Sequence, residues 1–162
     1  MTSQSNLCTR ESSTGCFAKG TLVRTPNGMF PIERLRVGDE VLTGDGRTAR
    51  IAKTHEATAS ELVRVLFSDG STLHCTPWHR LFDLRQNLVK AEELVLGSIV
   101  RTHDGSIVTV TKISKVTSGT PHEVFNLSLE RDISFFANGK LVEAPRASRV
   151  LNGHALLAAG SL

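Results

Sequence analysis

The chain is predicted to be all-β, and three observations carry the prediction: regularly placed turn dipeptides, near absence of helical periodicity, and an internal repeat. Asn27-Gly28, Asp45-Gly46, Asp69-Gly70, Asp104-Gly105 and Asn138-Gly139 each separate two apolar or β-branched runs. Such pairs accept the positive φ that a tight hairpin turn demands, so each one predicts a hairpin. Helical spacing surfaces only at residues 32–35 and 91–94, one turn each. A C-terminal helix interrupted by Gly153 is expected over residues 146–159.

The repeat orders the elements. Leu35 and Leu94, Gly38 and Gly97, Val41 and Val100, Asp45 and Asp104, Gly46 and Gly105 are pairs with one constant separation of 59 residues (35 to 94). Each half reads as a polar turn, a strand, an Asp-Gly turn, a long strand (47–55; 106–116) and a further strand (61–67; 123–129). Two duplicated β halves predict a pseudo-two-fold disc or horseshoe whose long hairpins exchange places. Around this domain, residues 16–144, lie two tails. Residues 1–15 are rich in Ser, Thr, Asn and Gln and are expected to be a flexible N-terminal passenger whose one cysteine, Cys8, is solvated. Residues 145–162 are expected to be a tail that packs as a short helix, the alternative being contact with a partner or a membrane surface.

Composition fits one globular domain. A net charge of +3 is spread along the 162 residues, and aromatics make up 5%. Neither a basic stripe nor stacking residues point to nucleic acid. No apolar run reaches membrane-spanning length, and residues 1–15 lack the apolar segment of a signal peptide, so localisation is left open. A monomer is expected. Three cysteines without metal-ligand spacing indicate neither a disulfide framework nor a zinc site, and no cofactor motif is present. Cys75 is read as a core residue, because alternate strand positions turn it away from Thr76.

The chemistry gathers at Gly15-Cys16. The Cys16 thiol can reach the Gly15 carbonyl by closing a small ring, so nucleophile and target are already joined. The product of that N-to-S shift is a thioester; beside a solvated position, Cys8 has two alternatives, a reversible disulfide that blocks Cys16 and interception of that thioester. A planar, resonance-stabilised amide resists the shift unless the bond is twisted or the departing nitrogen is protonated. Of six histidines, His79 in Thr76-Pro77-Trp78-His79 is the best placed to move that proton, with an ordinary pKa of about 6.5. Thr76 is expected either to donate to the oxyanion or to hold the amide off planarity. Gly15 leaves the carbonyl uncrowded.

The order of these features resembles the Hint family: inteins, bacterial intein-like domains and the autoprocessing domain of hedgehog proteins. Residues 16–42, including Val37-Gly38-Asp39-Glu40-Val41-Leu42, resemble its N-terminal block. Residues 70–79 resemble its Thr-x-x-His block, and residues 124–129 and 136–142 its C-terminal block. The resemblance implies the Hint fold, a nucleophilic role for Cys16, assistance from Thr76 and His79, and a tuning role for Asn126.

Departures limit what the resemblance implies. Splicing inteins end in His-Asn followed by Cys, Ser or Thr; here those positions are Glu143, Ala144 and Pro145. Alanine has no amide to cyclise and proline offers no nucleophile. A further assisting histidine falls at Ile133, which moves no proton. The implied activity is therefore single-turnover, cysteine-dependent self-cleavage without splicing. The substrate is the chain's own N-terminal segment, released when water, a thiol, an amine or a hydroxyl resolves the thioester. By analogy with hedgehog proteins, a group that activates such an acceptor is sought near the end of the first long strand, where His55 and Glu56 lie. The alternatives are a silent Hint-fold scaffold serving as an interaction module, and a Cys/His peptidase acting in trans.

Overall fold

A computed structural model describes residues 7–11 and 14–146. The chain runs through twelve strands: β1 (Phe17–Ala18), β2 (Leu22–Thr25), β3 (Gly28–Pro31), β4 (Glu40–Leu42), β5 (Thr48–Phe67), β6 (Thr72–Cys75), β7 (Arg80–Phe82), β8 (Leu88–Lys90), β9 (Ile99–Arg101), β10 (Ile107–Leu129), β11 (Ser134–Ala137) and β12 (Lys140–Glu143). They form two six-stranded sheets, ordered β4-β5-β6-β1-β10-β9 and β3-β2-β11-β12-β7-β8. No helix among the described residues is long and apolar enough to cross a membrane.

All five dipeptides sit at hairpin turns. Their glycines hold φ of +113° (Gly28), +83° (Gly46), +88° (Gly70), +87° (Gly105) and +82° (Gly139), a region costly for residues with a Cβ. The β7–β8 turn has no glycine. There Gln86 takes φ +70°, while the Asp83 carboxylate accepts from the Arg85 and Asn87 amides, an aspartate-built turn. The two expected helical turns are 3-10 turns, Ile32–Arg34 and Ala91–Glu93. The helix expected at 146–159 falls almost wholly outside the described residues.

The repeat extends to individual hydrogen bonds. Thr43 donates to Asp45 and Thr102 to Asp104 at 2.5 and 2.6 Å; Gly38 N–H donates to Ile51 O and Gly97 N–H to Val110 O, both at 2.8 Å. One sheet takes the β2–β3 hairpin from the first half and the β7–β8 hairpin from the second, with β11–β12 between them. One expectation is corrected. The separate strands at 47–55 and 61–67, and at 106–116 and 123–129, are continuous ribbons β5 and β10, paired antiparallel from Val110–Phe67 to Leu129–Ile51. Register shifts at Val110/Lys112, Thr117/His122 and Ser128/Leu129 absorb the irregularities that look like breaks in the sequence.

One large core, including Ile51, Val65, Leu73, Leu81 and Val142, lies between the sheets. A smaller cluster of Cys8, Cys16, Ala59, Leu62 and Val124 lies against it. Cys8 is 4% exposed, which corrects its expected solvated position. The Leu7–Thr58 parallel bridge and the Cys8 N–H to Thr58 O bond at 2.8 Å seat it there.

Candidate functional site

The site follows from the register of a two-residue strand. Phe17 in β1 is paired with Phe125 of β10 on one side and with Cys75 of β6 on the other. Antiparallel pairing runs in opposite directions along partner strands, so the residue before Phe17 meets the residue after each partner. Cys16 thereby comes opposite Asn126 and Thr76 together. Cys75, on the other face from Thr76, is buried in the main core, and its thiol is pushed up to about 12 by that burial.

Both sides of the Gly15-Cys16 peptide are held. Asn126 Nδ2 donates to the Gly15 carbonyl oxygen at 2.7 Å, and Thr76 Oγ1 accepts from the Cys16 amide at 3.1 Å. Asn126 is itself fixed, its Oδ1 accepting from the Leu127 amide at 2.8 Å. Thr76 Oγ1 thus lies at the nitrogen side of this bond and Asn126 Nδ2 at its oxygen. Sequence reasoning gave Asn126 a looser tuning role; its position opposite Cys16 is visible only once β1 is paired.

His79 is fully buried. Its amide donates to Thr76 O at 3.1 Å, closing the turn that follows β6, and its ring packs on Phe17 with centroids 4.2 Å apart. Neither imidazole nitrogen closes a well-aligned hydrogen bond, although backbone of Gly15 and Glu143 flanks the ring. Burial pushes the imidazole down to about 3, so it is neutral at physiological pH, unlike the ordinary titration expected from sequence. Gly15 takes φ +116°, and a Cβ there would stand 2.5 Å from His79 Nδ1 and 2.7 Å from His79 Cα. Only glycine lets the Gly15-Cys16 bond lie this close.

The Cys16 thiol is raised above its ordinary value, first by a hydrogen bond shared with Cys8 and then by burial. The Cys16 thiol and the His79 imidazole are both uncharged at rest.

The positions where splicing residues would stand are filled otherwise. Glu143 is 7% exposed and bound by Arg80 in a bidentate pair, Nε and Nη2 each 2.8 Å from a carboxylate oxygen. Ala144 is buried and its amide donates to Ile133 O at 2.7 Å; Pro145 follows it.

His55 lies in the middle of β5, a correction to its expected place at a strand end. It is the cross-strand partner of Asn126, so the two side chains share a face. Half-buried, it shares a 2.7 Å hydrogen bond with Ser128 Oγ, and burial followed by Lys53 lowers its pKa. His55, Glu56, Lys19, Glu123 and Asn126 line a cavity of about 220 Å³. Among the described residues no group of three His, Cys, Asp or Glu converges to hold a metal ion.

The Hint domain family model matches residues 15–66. No curated protein matches the sequence significantly. Among solved structures, the bacterial intein-like domain from Clostridium thermocellum superposes with a TM-score of 0.74 at 21% identity, covering 79% of this chain and 97% of that one. The gp41-1 intein gives 0.71 at 21% identity, covering 81% and 99%. A variant of the Ssp DnaB mini-intein gives 0.72 at 18%, covering 86% and 98%. The sequence match falls on the block that carries Cys16 and the shared fold spans nearly all of the described domain, so the chain has the Hint fold, and its residues 15–66 match the Hint domain model.

Proposed function

We propose that the domain cleaves its own chain at Gly15-Cys16 by an N-to-S acyl shift. The observation that carries this reading is the grip on a single peptide bond, with Asn126 Nδ2 at the Gly15 oxygen and Thr76 Oγ1 at the Cys16 nitrogen. Asn126 donates to the oxygen that gains charge as sulfur adds, and a donor already in place loses nothing to reorganisation. Thr76 holds the N–H on the far side of the bond and so fixes the orientation of the leaving nitrogen. The carbon–sulfur bond forms, the carbon–nitrogen bond breaks, and the thiol proton ends on the freed amine of Cys16.

His79 serves that transfer as a neutral relay. An imidazole buried to a pKa of about 3 does not store the proton, so it accepts and returns it within the step. Water, a thiol, an amine or a hydroxyl then resolves the thioester and frees the segment that ends at Gly15. The reaction stops there, because Ala144 has no amide to cyclise, Pro145 has no nucleophile and the Glu143 carboxylate is engaged by Arg80.

Intact mass spectrometry of the purified chain at neutral pH, with and without dithiothreitol or hydroxylamine, tests the reading. The expected result is loss of residues 1–15, accelerated by nucleophile. Cys16→Ala abolishes it, and His79→Ala slows it by about 10²–10⁴-fold. An unchanged mass under every condition would leave an unreactive scaffold, and cleavage in Cys16→Ala would refute the mechanism.

A further inference from the structure

Cys8 is the one thiol outside the scissile dipeptide that meets the nucleophile. It is 4% exposed, belongs to the same buried cluster as Cys16, and shares a hydrogen bond with the Cys16 thiol. The two cysteines are not disulfide-bonded. Four contacts hold Cys8 there. Its amide donates to Thr58 O, Leu7 bridges to Thr58, and two residues on, Arg10 pairs through Nη1 and Nη2 with Glu92 and lies 5.2 Å over the Trp78 ring. Trp78 also packs against the buried cluster. The Cys8 side chain thus lies beside the Cys16 thiol, at the bond that ends the N-terminal segment.

We propose that Cys8 is the acyl acceptor and that the N-terminal segment leaves as a thiolactone, with Cys8 Sγ bonded to the Gly15 carbonyl carbon. This rests on the thioester of the preceding section. Once Gly15 is carried on Cys16 Sγ, its carbonyl carbon is one bond from a sulfur that Cys8 already touches. Cys8 Sγ adds to that carbon, the bond to Cys16 Sγ breaks, and the Cys8 proton passes to the departing sulfur. One thioester replaces another, so no oxidant or reductant is consumed. The exchange is intramolecular, and a preformed approach of this kind replaces a high concentration of external thiol. Burial of both sulfurs disfavours water as the competing acceptor, and the free α-amine of Cys16 remains on the domain. The ring encloses residues 8–15, and the product is a cyclic peptide thioester.

The test is liquid chromatography with mass spectrometry of the whole chain, kept reduced with a phosphine so that no added thiol competes. The expected peptide is lighter by one water than linear residues 1–15 and is converted to the hydroxamate by hydroxylamine. Cys8→Ala and the near-isosteric Cys8→Ser should release at least about tenfold more slowly, with Cys8→Ala giving only the linear acid. Two outcomes overturn the role of Cys8 while leaving self-cleavage intact. One is linear acid alone from the unmodified chain at the rate of Cys8→Ala; the other is faster release from Cys8→Ala, which would make Cys8 a guard of the nucleophile. Failure to cleave with any nucleophile, including an added small thiol, overturns both readings.

Discussion

Asn126 Nδ2 donates to the Gly15 carbonyl oxygen at 2.7 Å across 111 residues of sequence. β10 supplies the donor, and the pairing of Phe17 with Phe125 aims it. Replacing Asn126 with alanine removes this side-chain donor from that oxygen. Loss of one such donor typically costs about 10²–10³ in rate. Asn126→Ala should therefore slow thiol-induced cleavage by that factor, measured by mass spectrometry against time. A rate within about twofold of the unmodified chain would remove Asn126 from the mechanism.

Gly15→Ala tests the fit of the scissile bond. The new Cβ would meet the side chain and the backbone of His79 at 2.5–2.7 Å, at a φ of +116°. Trimming the histidine cannot relieve a contact with its own Cα, so the strain should be relieved by displacement of the leader. Misplacement of a reacting group by about 1 Å can cost on the order of a hundredfold. The expected result is cleavage slowed by at least about that factor, with the melting temperature changed by no more than the loss of leader contacts allows. Retained cleavage would show that the bond reacts from a different placement.

Much of the fold was legible because the positive-φ turns have a chemical signature and the repeat preserves it. Asn27-Gly28 and Asp104-Gly105 could be read directly, whereas the β7–β8 turn, built by Asp83 with Gln86 at positive φ, offered no glycine to read. The continuity of β5 and β10 was hidden, since exposed polar residues such as Lys53 and Thr54 interrupt the apolar pattern where the ribbons leave the core. Cys16, Thr76 and His79 were legible as residue types in order. The contact of Cys8 with Cys16 was open only as an alternative to a solvated thiol, because residues 1–15 have no periodicity and the contact depends on a parallel bridge to Thr58, far along the chain.

The buried His79 imidazole should make folding acid-sensitive. Its folded pKa of about 3 lies below its unfolded value of about 6.5, so below about 6.5 the unfolded chain binds the proton that the folded one refuses. This contribution to stability is fully present above about pH 6.5 and is lost as pH falls toward about 3. Denaturant unfolding between pH 7 and 4 should show stability declining with a limiting slope of about 1.4 kcal/mol per pH unit from this group. His79→Gln should be flatter by about one proton over the same window. Identical slopes for the two proteins would mean that the imidazole titrates normally in the folded state.

Arg10 offers a test of leader docking that leaves the reacting groups alone. It is partly exposed, and its bidentate pair with Glu92 and its position over Trp78 tie residues 7–11 to the wall of the site. Exposed ion pairs and cation–π contacts are each worth about 1 kcal/mol or less, so Arg10→Ala should leave the melting temperature of the domain nearly unchanged. Its effect should appear in the chemistry, because a looser leader spends less time with Gly15 between Asn126 and His79. A severalfold slower cleavage is expected, and Glu92→Gln should reproduce part of it by weakening the same pair. The double variant should add little to Arg10→Ala, since both changes remove one interaction. If Arg10→Ala cleaves at the unmodified rate, docking through this clamp does not position the scissile bond, and the contacts of Leu7 and Cys8 with Thr58 and Cys16 must suffice.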